Sequence, residues 1–117
     1  MGIPVTGVSE LVLEVMDLDR SERFYGEVLG LPVKFQDGSR YAALDGGGVS
    51  IGILGPGEDV TDGRVAASFR VPDVHAAVEK AVAAGATVLR PPESGPHEMR
   101  AVVTDPWDNP VVFASKR

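Results

Sequence analysis

Cysteine is absent from this 117-residue chain, which excludes disulfides, thiolate metal centres and a cysteine nucleophile and leaves the redox compartment unmarked. Histidine is scarce. His75 and His97 are the only two, so an imidazole-rich metal site has little to draw on. Basic residues are outnumbered, with 11 Lys and Arg against 17 Asp and Glu and a net charge of −6. A negative field of that kind disfavours nucleic acid and anionic membranes, and no basic stripe with interleaved aromatics offsets it. No apolar run approaches the ~20 residues of a membrane span, and the start lacks the basic, apolar pattern of a secretory leader. The expectation is a soluble cytoplasmic protein with neither nucleic acid nor membrane as partner. No glycine-rich segment follows a strand and opens a helix as a phosphate loop does, and no Ser-His-Asp arrangement has a supporting local motif.

What is present is one pattern stated twice. Leu11-Val12-Leu13-Glu14-Val15-Met16-Asp17-Leu18 begins one half, and Ala67-Ser68-Phe69-Arg70-Val71-Pro72-Asp73-Val74 begins the other. Each is an apolar strand that stops at an Asp, and each Asp is placed to cap a helix by accepting from its first-turn amides. Glycines close the helical stretches at Gly30 and Gly85. In the first helix, Phe24, Val28 and Leu29 share the face near Leu18; in the second, Val74, Val78 and Val82 share one. Strands are expected over residues 33–36, 41–44 and 49–54, joined by an Asp37-Gly38 hairpin turn and a looser turn at Gly46-Gly47-Gly48. Residues 55–63, rich in Gly and Asp and without period, read as a linker. Further strands are expected over 65–71, 87–89, 98–104 and 110–114, with a Pro-rich loop over 90–96 and a tight turn over 105–109.

The expected fold class is α+β: a single domain over residues 1–117, built as two tandem βαβββ modules over about 8–54 and 65–114. These modules would form a cup-shaped mixed sheet with one helix of each on the outer face. Alternation puts Leu11, Leu13, Val15, Val49, Ile51 and Ile53 toward the first helix, and Ala67, Phe69, Val71, Ala101, Val103, Val111 and Phe113 toward the second.

Several of these segments carry a family resemblance. Asp17-Leu18-Asp19-Arg20-Ser21, Phe24-Tyr25 and Val28-Leu29-Gly30-Leu31 resemble the first helix of the vicinal oxygen chelate superfamily. That superfamily includes glyoxalases, extradiol dioxygenases, epimerases, fosfomycin resistance enzymes and bleomycin resistance proteins. Phe69-Arg70-Val71-Pro72-Asp73-Val74 with Ala83-Ala84-Gly85-Ala86 resembles the opening of its second module, and Asp105-Pro106-Trp107-Asp108-Asn109-Pro110 its last turn. The resemblance spans nearly the whole chain and implies the fold more than an activity, because one fold hosts many chemistries.

Enzymes of the group hold a divalent metal by His, Glu or Gln from facing strands. The resemblance places Glu10 at the first of those positions, Ala66 at the second, Ser50 or Gly52 at the third and Val112 at the last. Only the first offers a strong donor, so no metal and no cofactor are expected. A displaced site would have to draw on His97, Glu98, Glu10 or Glu14, but His97 and Glu98 are strand neighbours and point to opposite faces.

The expected ligand-binding residues are Glu10, Glu14, Tyr41, Ser50, Leu54, Ser68, Arg70, Arg100, Val102, Trp107 and Val112. They are small or mixed in character, with charge from the Glu and Arg residues and with Tyr41 and Trp107 available to stack on a flat ligand. The resemblance points to a metal-free small-molecule-binding protein of the bleomycin resistance kind, a homodimer that sequesters an antibiotic or related natural product. The alternative is a lyase, isomerase or dioxygenase with an altered metal site, or with Glu10 as general base. A structural module without a small ligand is the third reading.

Overall fold

The first strand, β1, spans Gly7–Glu14, and Asp17 ends it by turning the chain into a helix. Asp17 adopts extended backbone angles and its carboxylate accepts from the Arg20 amide at 3.1 Å, as an N-cap should. A computed structural model describes residues 2–58, 60–95 and 98–116 of the chain. It divides into two compact units, Glu10–Val65 and Met1–Ser9 with Ala66–Arg117. Both combine strands and helix in a mixed, mainly antiparallel arrangement, so the fold class is α+β.

In the unit Glu10–Val65, helix α1 (Leu18–Glu22) continues into a π-helical turn over Arg23–Val28. Strands β2 (Val33–Asp37), β3 (Tyr41–Asp45) and β4 (Ser50–Leu54) follow. Their order is β2-β3-β4-β1. β1 runs parallel to β4, with Glu10 opposite Ser50 and Val12 opposite Gly52, whereas β3 is antiparallel to both β2 and β4. Leu18, Ala42, Leu44 and Ile53 form the buried core, with Leu13, Val15, Tyr25, Leu31 and Ile51 packed against it.

The π-helical turn corrects the expected helical face. An i→i+5 bond from the Leu29 amide to the Phe24 carbonyl widens the turn and shifts its phase. Leu18, Ser21 and Tyr25 face inward instead, and Phe24, Val28 and Leu29 are exposed. The expected linker is also tied down. The Gly55 amide donates to the Arg40 carbonyl at 2.7 Å, Arg40 pairs with Glu58 at 2.7 Å, and Val60 and Thr61 are buried. A side chain at position 55 would collide with the Ser39 carbonyl, so glycine is required there.

In the second unit, β5 (Ala66–Arg70), α2 (Val74–Ala83), β6 (Thr87–Ser94), β7 (Glu98–Thr104) and β8 (Pro110–Lys116) pair in the order β5-β8-β7-β6. Asp73 caps α2 by accepting from the Ala76 amide at 3.1 Å. Val74, Ala77 and Val78 bury against Val71, Ala101, Val103 and Phe113. Ala77 and Ala81 complete this helix face; Val82, expected on it, is exposed. The Pro-rich stretch over 90–94 is a correction as well. It continues β6 rather than looping out, with register shifts between Val88 and Arg90 and between Arg90 and Glu93. A bulged strand at the end of the order has amides to spare, so it accommodates Pro91 and Pro92.

Candidate functional site

Three neighbouring strands of the unit Glu10–Val65 build one polar cluster. On the face turned away from α1, β1 contributes Glu10, β4 contributes Ser50 and Gly52, and β3 contributes Tyr41. The Tyr41 hydroxyl donates to Glu10 Oε2 at 2.7 Å. The carboxylate lies directly over Gly52: a Cβ there would sit 2.5 Å from Oε2 and 2.7 Å from Cδ. Glycine at 52 therefore makes the trough in which the carboxylate crosses from β1 toward β3. Glu10 and Tyr41 are both half-buried.

Lys34 and Phe35 extend the cluster, and neither stood out in the sequence. Val33 pairs with Leu44 and Phe35 with Ala43, so two steps along β2 match one along β3 and Lys34 is the extra residue of a bulge. The Lys34 ammonium donates to the Ser50 hydroxyl. The Phe35 and Tyr41 rings lie 6.2 Å apart at 49°. Only the bulge lets Lys34 and its neighbour Phe35 reach one face, since strict alternation sends adjacent residues to opposite faces.

Glu14, four residues along β1, is engaged differently. Its Oε1 accepts from the Thr61 amide at 3.0 Å, the Thr61 hydroxyl at 2.7 Å and the Gly63 amide at 2.8 Å, and its Oε2 from the Val60 amide at 3.1 Å. Burial alone would raise its pKa. The Thr61 hydroxyl and then the Gly63, Thr61 and Val60 amides outweigh it and hold the carboxyl below its ordinary value. Glu14 is the anchor of the 60–63 loop. Leu54, on β4, is buried, and its carbonyl accepts from the Val15 amide at 2.9 Å.

The other sequence-derived candidates lie in the second unit. Ser68, Val112 and Val102 form one row across β5, β8 and β7, and all three are buried. The Ser68 carbonyl accepts from the Ser9 hydroxyl at 3.1 Å. Arg70, Ala114 and Arg100 form the next row, with Arg70 exposed and Arg100 half-buried. Trp107 stands apart from both. It is 80% exposed at the tip of the β7–β8 turn, beyond the Thr104–Pro110 pair that itself stands four residue pairs, about 13 Å, from Arg100. Asp105 builds that turn: its Oδ1 accepts from the Trp107 and Asn109 amides at 2.9 Å each, and its Oδ2 from the Asn109 side chain at 3.0 Å. The Asn109 amide, then its side chain, hold the Asp105 carboxyl below its ordinary value against a slight opposing effect of burial. His97 lies outside the described residues, and His75 is exposed on α2.

With this geometry in view, the chain can be set beside known proteins. Residues 10–113 match the glyoxalase-like domain. The chain belongs to the glyoxalase-like domain family. An uncharacterized protein of Mycolicibacterium smegmatis is 40% identical over 108 residues, covering 92% of each chain. Among solved structures, methylmalonyl-CoA epimerase from Mycobacterium tuberculosis superposes with a TM-score of 0.73 at 20% identity, covering 100% of this chain and 92% of that one. A glyoxalase/bleomycin resistance protein/dioxygenase superfamily member from Vibrio splendidus gives 0.69 at 21% identity, covering 92% and 97%. At such identities these two show the shared fold alone.

The divalent ion implied by the superfamily resemblance does not fit the residues of this family member. Ala66 and Val112 carry no donor atom and are buried. The Ser50 hydroxyl already meets an ammonium, which repels a second cation. Among the described residues, no three His, Asp or Glu side chains come together as a metal would need. Of the four positions, Glu10 alone supplies a carboxylate, and it accepts from the Tyr41 hydroxyl.

Proposed function

We propose that this protein binds an amine-bearing small molecule without a metal ion and withdraws it from solution, as a resistance protein does with an antibiotic or related natural product. The carrying observation is the Glu10 carboxylate, fixed over Gly52 by the Tyr41 hydroxyl. A carboxylate accepts about four hydrogen bonds, and a positioned one favours a protonated amine over a neutral ligand. The net charge of −6 supports the same preference by drawing cations toward the protein. The two stretches of like element order, each opened by a capping Asp, are taken as tandem βαβββ modules, and the exposed Phe24, Val28 and Leu29 support a homodimer.

Thermal melts against basic antibiotics and simple arylalkylamines test this. A ligand at a hundred times its dissociation constant should stabilise the fold by about 2.7 kcal/mol. Glu10→Gln should remove that gain while keeping the bond from Tyr41. A panel without shifts, or shifts unchanged in Glu10→Gln, defeats the proposal.

The 2.7 Å contact between phenol and carboxylate also supports a second reading, in which Glu10 is the general base of an isomerase or lyase. Glu10→Gln would then bind substrate and fail to turn it over, whereas a binding protein would lose affinity itself.

A further inference from the structure

The polar cluster carries charge of both signs. Lys34 forms no ion pair among the described residues, and its ammonium rests on the Ser50 hydroxyl. Ser50 stands directly opposite Glu10 in the parallel β1–β4 register. Across this face the side chains therefore run ammonium, hydroxyl, carboxylate and phenol. Asp45, the other neighbour of Ser50, accepts from the Gly47 amide at 2.8 Å and is thereby turned into its own loop. A bulge is the device that brings Lys34 to this face, and bulges commonly re-aim a side chain at a site of function. Phe35, 47% exposed beside the Tyr41 ring, gives the cluster an aromatic wall.

We infer that the ligand is a zwitterion of amino-acid type, with its anionic group against Lys34 and Ser50, its protonated amine against Glu10, and an apolar or aromatic substituent against Phe35. This rests on the amine-binding role given to Glu10 above and adds an anion to the ligand. The dimensions agree. Both charged groups lie over β4, the ammonium at Ser50 and the carboxylate over Gly52, two residues or about 7 Å apart along the strand. An amino acid with a hydrogen bond of about 3 Å at each end spans that gap.

Calorimetric titration with four probes separates the two claims: phenylalanine, its methyl ester, N-acetylphenylalanine and phenethylamine. Phenylalanine should bind at least tenfold more tightly than any of the other three. Lys34→Gln should abolish its advantage over the ester and over phenethylamine, leaving its advantage over the N-acetyl compound. Glu10→Gln should do the reverse. Lys34 is exposed, so its variant keeps the fold, and melts of both variants confirm this. If the ester and phenethylamine bind as tightly as phenylalanine and still depend on Glu10, the inference falls and the amine-binding role stands. If the N-acetyl compound binds as well as phenylalanine and Glu10→Gln changes nothing, both fall. If none of the four binds, the inference is overturned, and the role of Glu10 is decided by the antibiotic melts.

Discussion

Removing the Glu14 carboxylate should unlatch the 60–63 loop. Four donors converge on it, and two of them, the amides of Val60 and Thr61, belong to buried residues. Glu14→Ala leaves those amides without an acceptor; the Thr61 hydroxyl keeps the Arg64 carbonyl. A hydrogen bond to a charged group contributes about 1.5–3 kcal/mol net, but four on one carboxylate are not additive. Glu14 is half-buried and Gly63 exposed, so water replaces part of the loss. The expected cost of Glu14→Ala is about 3 kcal/mol, a fall in Tm of roughly 10 °C for a chain of this length. Glu14→Gln should cost about half as much: its oxygen can still serve the donors at Oε1, while its amide group confronts the Val60 N–H. The pH dependence carries a sign. The carboxyl's pKa is lower in the fold than its ordinary 4.5, so the unfolded chain binds this proton more readily. The stabilisation is complete above about pH 5.5 and drains away as the pH falls below 4.5 through the folded value. Urea unfolding of wild type and both variants at pH 7 and at about pH 3.5 measures all of this. A Glu14→Ala cost below about 1 kcal/mol at pH 7, or a variant with the wild-type acid slope, would refute the latch.

Gly52→Ala should act on the site and spare the fold. The new methyl meets only the flexible end of Glu10, so the carboxylate moves and its bond from Tyr41 breaks. The lost bond and the reduced freedom of the unfolded chain nearly cancel, leaving stability within about 1 kcal/mol of wild type, while calorimetry should record at least tenfold weaker amine binding. Asp73→Ala should cost about 1 kcal/mol in urea unfolding, because the Ala76 amide loses its cap at the start of a helix that docks Val74, Ala77 and Val78.

Local rules carried much of the secondary structure. Asp17 and Asp73 were readable as caps because capping needs only a short acceptor three residues before an amide. The Asp37-Gly38 turn and the 105–109 turn were readable for the same reason: their bonds close within a few residues. Alternation correctly sorted Leu13, Val15, Ile51 and Ile53 from Glu10, Ser50 and Gly52. It failed where a residue is inserted. The Lys34 bulge, the π-helical turn and the bulged β6 each break a fixed period, and a rule built on that period has no means of announcing the break.

Glu10 and Ser50 were nominated from the sequence by strand alternation, and Tyr41 as a ring able to stack. Their meeting was not. Whether Glu10 reaches Tyr41 depends on β1 lying beside β4 and β3 beyond it, and on glycine rather than a larger residue at the crossing. Glu14 shows the same limit from the other side. On the strand it is equivalent to Glu10 by alternation, yet one carboxylate anchors a loop and the other crosses a glycine trough to a phenol. Sequence alone determined the two helix caps, the tight turns and the alternating faces of β1 and β4, since those follow from chain-local geometry. Only the tertiary structure decided which carboxylate anchors a loop and which crosses Gly52 to a phenol, because that choice rests on neighbours distant in the chain.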